Sequence, residues 1–282
     1  MKKIDAFNHI WPKEFFDALI GHIGTMSDIT KRSGDVPMMT DLDRRFQVMD
    51  EFGPDYCQIL SLASPPLEKI VGPDAALELS RIGSDSMAEL CQKYPDRFPA
   101  FIATAPMSHP EGMVSEAKRA IEELGAVGMQ IFTNIGGTPV DLPDYAPFFD
   151  YMNSVKKPVW LHPARGANMT DYASEAESQY EIWWTFGWPY ETSAAMARMV
   201  FSRFFDTWPN LKIITHHAGG MIPFFEGRVG PGWDQMGART SDRDLAAVRK
   251  ALKRPHLDYF KEFYADTASF SSRKAIEHAM EF

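Results

Sequence analysis

Seven short runs dense in apolar and β-branched residues punctuate the chain, at 3–10, 55–62, 98–105, 127–133, 158–162, 211–217 and 263–267. Each has the length of a strand buried on both faces, where near-continuous hydrophobicity replaces in–out alternation. Between them, apolar positions recur at helical spacing. Leu42, Phe46 and Met49 make one stripe in 41–52, and Leu77, Leu79, Met87 and Leu90 another in 75–94. Met113, Ala117, Ala120, Ile121 and Leu124 make a third in 110–124, ahead of Gly125, a helix stop. Further helices fit 145–155, 191–205, 243–252 and 271–282. Strands alternating with helices predict βαβ units and a parallel sheet. Seven strands with no interdomain linker, and no Gly-rich dinucleotide or P-loop fingerprint after any of them, favour an α/β fold of the (β/α)8 TIM-like barrel type over a doubly wound sheet. The barrel is expected to be one domain, 1–282. Its eighth strand is missing from this pattern, because the last helix runs to Met280-Glu281-Phe282 without a stop signal, as in a C-terminally incomplete barrel.

Composition narrows the partners. With 282 residues, 45% of them apolar and 24% charged, the chain is ordinary globular protein and not collagen-like, disordered or disulfide-stapled. Twenty-nine basic against 38 acidic residues give a net charge of −9, which repels phosphate backbones and anionic lipid, so neither nucleic acid nor a membrane is an expected partner. No apolar run is long enough for a membrane span, and Asp5, Asn8 and His9 interrupt anything that could serve as a signal peptide. Cys57 and Cys91 sit in apolar patterns and read as buried free thiols, which places the protein in a reducing cytoplasm.

Candidate chemistry gathers at the C-terminal ends of predicted strands, where His9, His162 and His217 stand. Alternation puts Asp5, Phe7 and His9 on one strand face, and Pro163 holds His162 extended. Neutral imidazole is the commonest ligand for zinc-like ions, and one more histidine can serve as acid or base. Alternation points the neighbouring His216 away from the mouth. Asp266 reads as a buried carboxylate fixing loop backbone. The irregular stretch 164–190 follows the fifth strand and is a candidate lid or pocket wall. Its aromatics Trp183, Trp184, Phe186, Trp188 and Tyr190 suit either a flat wall for an aromatic acid or a dimer interface. Met38, Met39 and Met49 read as core filler.

Three phrases carry a resemblance: Lys3-Ile-Asp-Ala-Phe-Asn-His9-Ile-Trp-Pro12, Val159-Trp-Leu-His162-Pro163 and Ile213-Ile-Thr-His-His217-Ala-Gly219-Gly220. Together with 45–53, 188–192 and 264–268, they resemble the amidohydrolase superfamily, in the branch of 2-amino-3-carboxymuconate-6-semialdehyde decarboxylase and related aromatic-acid decarboxylases. The resemblance implies a barrel with one divalent metal ion, usually zinc, and a small carboxylic-acid substrate. It implies His9 and His162 as metal ligands, His217 as the proton-transfer group, and Arg45 and Arg228 as substrate-binding residues, to which the aromatic cluster adds Trp188. Arg228 is the one that in relatives reaches a neighbouring subunit, so a homodimer is expected, or a hetero-assembly with a related barrel. Phe7 stands where the family has a first histidine, and the family's eighth-strand aspartate has no counterpart here, which leaves Asp266 or His216 as possible additional ligands. The expected reaction is metal-dependent decarboxylation of a small aromatic or conjugated carboxylic acid, a carbon–carbon lyase activity. The same parts would serve a hydrolase of an amide, ester or lactone, and the loss of a ligand to Phe7 would suit a non-catalytic or rebuilt subunit.

Overall fold

A computed structural model describes residues 2–26, 28–240 and 244–282. Two compact units divide the chain, 1–138 and 139–282.

In the first unit, β1 (Lys3–Ile10), β2 (Tyr56–Leu62), β3 (Ala100–Thr104) and β4 (Gly128–Phe132) lie side by side in chain order, each parallel to the next. β4 is buried along its whole length and β1 only towards its C-terminal end, at Asn8 and Ile10. The β1–β2 register shifts between Asp5 and Asn8, where the Asp5 carboxylate accepts the Phe7 N–H at 3.0 Å, and then pairs His9 with Ser61. The main connecting helices are α1 (Lys13–Ile23), α2 (Leu42–Glu51), α3 (Pro73–Lys93) and α4 (Gly112–Lys118). Asp41 caps α2 through the Arg44 N–H, and α3 buries the small residues Ala76, Ser80, Gly83 and Ser84. A Cβ at Gly83 would lie 2.6 Å from a Leu62 methyl, so the absence of a side chain there lets α3 pack closely on the Leu62 side chain of β2. α4 continues through a wider turn at Arg119–Glu123 and stops before Gly125, whose φ of 80° suits glycine.

In the second unit, β5 (Val159–His162), β6 (Ile213–Thr215) and β7 (Tyr264–Ala265) are again parallel and in chain order. Its main helices are α5 (Ala146–Val155), α6 (Gly187–Phe201), α7 (His256–Phe260) and α8 (Arg273–Glu281). Phe148, Phe149, Met152, Met199, Phe204, Tyr259 and Phe260 fill the core. α6 begins four residues before the expected Glu191, because Pro189 is tolerated in a first helical turn, and ends by Arg203, whose φ is 66°. The helix expected at 243–252 is found at Leu245–Lys250, and Arg243 lies outside the described residues. The four and three parallel strands correspond one for one to the seven apolar runs of the sequence. No helix among the described residues is long and apolar enough to cross a membrane.

Candidate active site

In the second unit, the C-terminal ends of β5 and β6 bring three imidazoles together. His162 is the last residue of β5, and its Nδ1 lies 2.8 Å from the Pro163 carbonyl, which can only accept; Nδ1 therefore carries the proton and Nε2 the lone pair. β6 ends at Thr215. Beyond it His217, Ala218, Gly219 and Gly220 all turn left-handed, with φ of 62°, 55°, 75° and 63°. Left-handed backbone costs a residue with a Cβ about 1–2 kcal/mol, so His217 and Ala218 must be held there. Asp266, just past β7, does the holding: its Oδ1 accepts the N–H groups of His217 (3.0 Å) and Ala268 (2.9 Å), and its Oδ2 lies 2.6 Å from His216 Nδ1. Gly220 is required on a second count, since a Cβ there would meet the Pro189 carbonyl oxygen at 2.6 Å.

This turn corrects one expectation. The His216 ring lies 5.0 Å from that of His162, nearer than the 5.8 Å of His217, and His216 is wholly buried. Strand alternation aims it away only if the strand continues, and it has already ended. Asp266 does fix loop backbone, and it also orients His216.

Charge is tuned in the same place. Burial, reinforced by His216 and opposed by Asp266, pushes the His217 pKa down to about 4, which keeps its imidazole neutral near pH 7. Burial works to raise the Asp266 carboxyl, but the His216 hydrogen bond and charge outweigh it and hold the group below its ordinary value.

His217 opens onto a cavity of about 200 Å³ lined by Trp184, Thr185, Trp188, Pro189, Ser269 and Phe270. The Trp188 and Phe270 rings stand 5.7 and 6.1 Å from the His217 ring, tilted from its plane by 34° and 33°. Trp188 is anchored by its Nε1–H to the Arg165 carbonyl at 3.0 Å. The stretch 164–190 thus supplies one wall of the cavity. Phe270 was not singled out from the sequence; its signal was an aromatic residue four positions past Asp266.

In the first unit, His9 Nδ1 lies 2.8 Å from Ser61 Oγ, whose own hydrogen goes to the Asn8 carbonyl at 2.8 Å. Ser61 therefore accepts from His9, and the proton again sits on Nδ1. The Phe7 ring packs edge-on against His9 at 4.9 Å. Arg45 departs from its expected role. It is buried, and its guanidinium donates to the carbonyls of Met38 (3.0 Å) and His9 and to the side chains of Asn8 (3.1 Å) and Gln58 (2.7 Å). A fork already bound to four neutral acceptors clamps the end of β1 and has little left for a substrate carboxylate. Burial lowers its pKa to about 10, still well above neutrality.

Arg228, in the second unit, is exposed on the helical turn Glu226–Val229 and lines a different, open cavity of about 900 Å³ with Tyr190, Phe225, Trp233 and Arg239. It does not line the cavity of His217.

The amidohydrolase family model matches residues 4–270. The chain belongs to the amidohydrolase family. Gamma-resorcylate decarboxylase of Rhizobium sp. (strain MTP-10005) is 32% identical over 247 residues, covering 85% of this chain and 72% of the relative. 2-Amino-3-carboxymuconate-6-semialdehyde decarboxylase of Dictyostelium discoideum is 30% identical over 280 residues, 94% of this chain and 74% of the relative. The solved 2,6-dihydroxybenzoate decarboxylase from Rhizobium superposes with a TM-score of 0.78 at 26% identity, covering 100% of this chain and 84% of that one. The dihydroxybenzoic acid decarboxylase from Polaromonas sp. JS666, solved with manganese and 2-nitroresorcinol, gives 0.75 at 28% identity, covering 99% and 82%. This amidohydrolase is therefore an enzyme with the (β/α)-barrel fold of its family, seven of whose strands lie in the described residues.

The donor chemistry fits a divalent ion. Among the described residues no three His, Cys, Asp or Glu side chains are gathered to hold one by themselves. Yet His9, His162 and His216 each engage Nδ1 with an acceptor, the arrangement that fixes the tautomer of a metal-ligating histidine.

Proposed function

We propose that this amidohydrolase is a metal-dependent decarboxylase of a small aromatic carboxylic acid. The observation that carries the reading is the aromatic slot of Trp184, Trp188 and Phe270 built around His217, in a chain similar in sequence to decarboxylases of an aromatic and of a conjugated carboxylic acid. A planar ring stacks well between indole and phenyl faces. His162 would hold the ion, zinc in first place on its imidazole donors, although the Polaromonas structure holds manganese. When bound, the ion supplies a Lewis acid that anchors substrate oxygens.

The remaining work falls to residues of the chain. Trp188, fixed by Arg165, sets the plane of the ring. His217, neutral at working pH, takes up a proton and delivers it to the ring carbon from which carbon dioxide departs, so the arene gains a hydrogen where it loses a carboxylate. Asp266 keeps the His217 backbone in its left-handed turn. The free thiols Cys57 and Cys91 support a cytoplasmic setting, and the exposed Arg228 and its apolar surroundings support a homodimer.

The test offers the metal-loaded enzyme a panel of hydroxybenzoates, 2,6-dihydroxybenzoate among them, in deuterated water. Carbon dioxide should appear in step with an arene carrying deuterium at the decarboxylated carbon, and His217→Asn should lose turnover while keeping its metal. Hydrolysis of esters, amides or lactones without carbon dioxide from any acid would replace this reading with the hydrolase. Neither activity in a metal-loaded sample would leave a non-catalytic subunit.

A further inference from the structure

The family's first-strand ligand position is occupied here by Phe7, a side chain with no donor atom. We propose that His216, braced by Asp266, stands beside His162 as a second imidazole ligand to the divalent ion. This rests on the metal-dependent reading above and names a ligand within it. Two imidazoles sharing one ion through Nε2 at zinc–nitrogen distances, under a near-tetrahedral angle, have ring centres roughly 5 Å apart. His162 and His216 have theirs at 5.0 Å with planes 63° apart, whereas His217 is 5.8 and 6.1 Å from the two.

Tautomer and charge agree with that assignment. Both rings are buried and both spend Nδ1–H on an oxygen of the second unit, the Pro163 carbonyl for His162 and the Asp266 carboxylate for His216. In the neutral imidazole this leaves the lone pair on Nε2, the state a metal requires. A carboxylate behind a ligating imidazole also raises its basicity and supplies negative charge close to a cation in a buried site. Asp266 is thereby an orienting residue, acting through the imidazole of His216 rather than on the ion itself. The left-handed turn at His217 completes the case: because β6 has ended, His216 and His217 leave the strand in different directions, so one can ligate while the other faces the aromatic cavity.

The experiment titrates apoprotein with cobalt(II), reading stoichiometry, affinity and the visible d–d spectrum. Wild type should bind one equivalent. His216→Gln should bind at least ten- to a hundredfold more weakly with an altered spectrum, and Asp266→Asn about tenfold more weakly. A folded His216→Gln with wild-type affinity and spectrum overturns the proposal and leaves the decarboxylase reading standing; wild type that binds no ion overturns both. His216 is fully buried and its variants could misfold, so a second measurement uses wild type alone. Iron(II) and ascorbate should oxidise the ligating histidines, mapped by peptide mass spectrometry. Modification of both His162 and His216, with the buried His256 spared, supports the assignment; modification of His162 with His216 spared overturns it.

Discussion

Replacing Glu68 by glutamine should stabilise the protein at neutral pH and flatten its stability profile between pH 5 and 8. Glu68 lies in the short helix Leu67–Ile70 that follows β2, and although the residue is partly exposed, both carboxylate oxygens are buried with no hydrogen-bond partner from any other described residue. Burial raises its pKa from 4.5 to about 7, against a smaller opposing pull from its own backbone N–H. The unfolded chain therefore releases the Glu68 proton at lower pH than the folded one. Stability contributed by the protonated group is complete below pH 4.5 and drains away as pH rises to about 7. A shift of that size corresponds to roughly 3 kcal/mol once both states are ionised, with about 1 kcal/mol already lost at pH 5. Glutamine keeps the shape and cannot ionise, so it escapes this loss. Urea unfolding at pH 5, 7 and 8.5 would show wild type and Glu68→Gln diverging by about 2 kcal/mol between pH 5 and 7. Parallel curves over that range would mean that Glu68 is solvated or paired, and the reasoning would fail.

Arg45→Ala should cost about 3–5 kcal/mol in the same assay, since it strands buried acceptors on Met38, Asn8, Gln58 and His9, and Arg45→Lys should recover only part because one ammonium cannot reach all four. Gly220→Ala should lower the melting temperature and abolish turnover together, because a Cβ 2.6 Å from the Pro189 carbonyl displaces the turn that carries His217; a soluble variant with normal activity would refute this. Trp188→Phe should lose about 1 kcal/mol with its Arg165 hydrogen bond but still bind an aromatic acid, whereas Trp188→Ala should lose measurable binding by calorimetry. Chelation followed by dialysis should destabilise the holoenzyme, and added divalent ion at a hundred times its dissociation constant should restore about 2.7 kcal/mol.

Local sequence and tertiary structure decided different things. The seven strands were legible as short apolar runs, and all seven lie within two residues of those runs at each end; β4 is covered along its whole length as such a run predicts, whereas β7 is exposed. Helix α1 was not, since Phe15 and Leu19 alone mark its buried side and Pro12 begins it without a side-chain cap. His9, His162 and His217 were visible as imidazoles at strand ends, a position set by periodicity. Three features were invisible there. Arg45 changed from substrate ligand to clamp because the acceptors that occupy it come from residues 7, 13, 36 and 37 positions away. Phe270 joined the aromatic cavity, and His216 came to lie against His162 with Asp266 behind it, only because β6 stops at Thr215 and the chain turns left-handed. Periodicity reports which side of an element is buried; where an element ends, and which distant group meets the side chain beyond that end, depends on partners brought together only by folding.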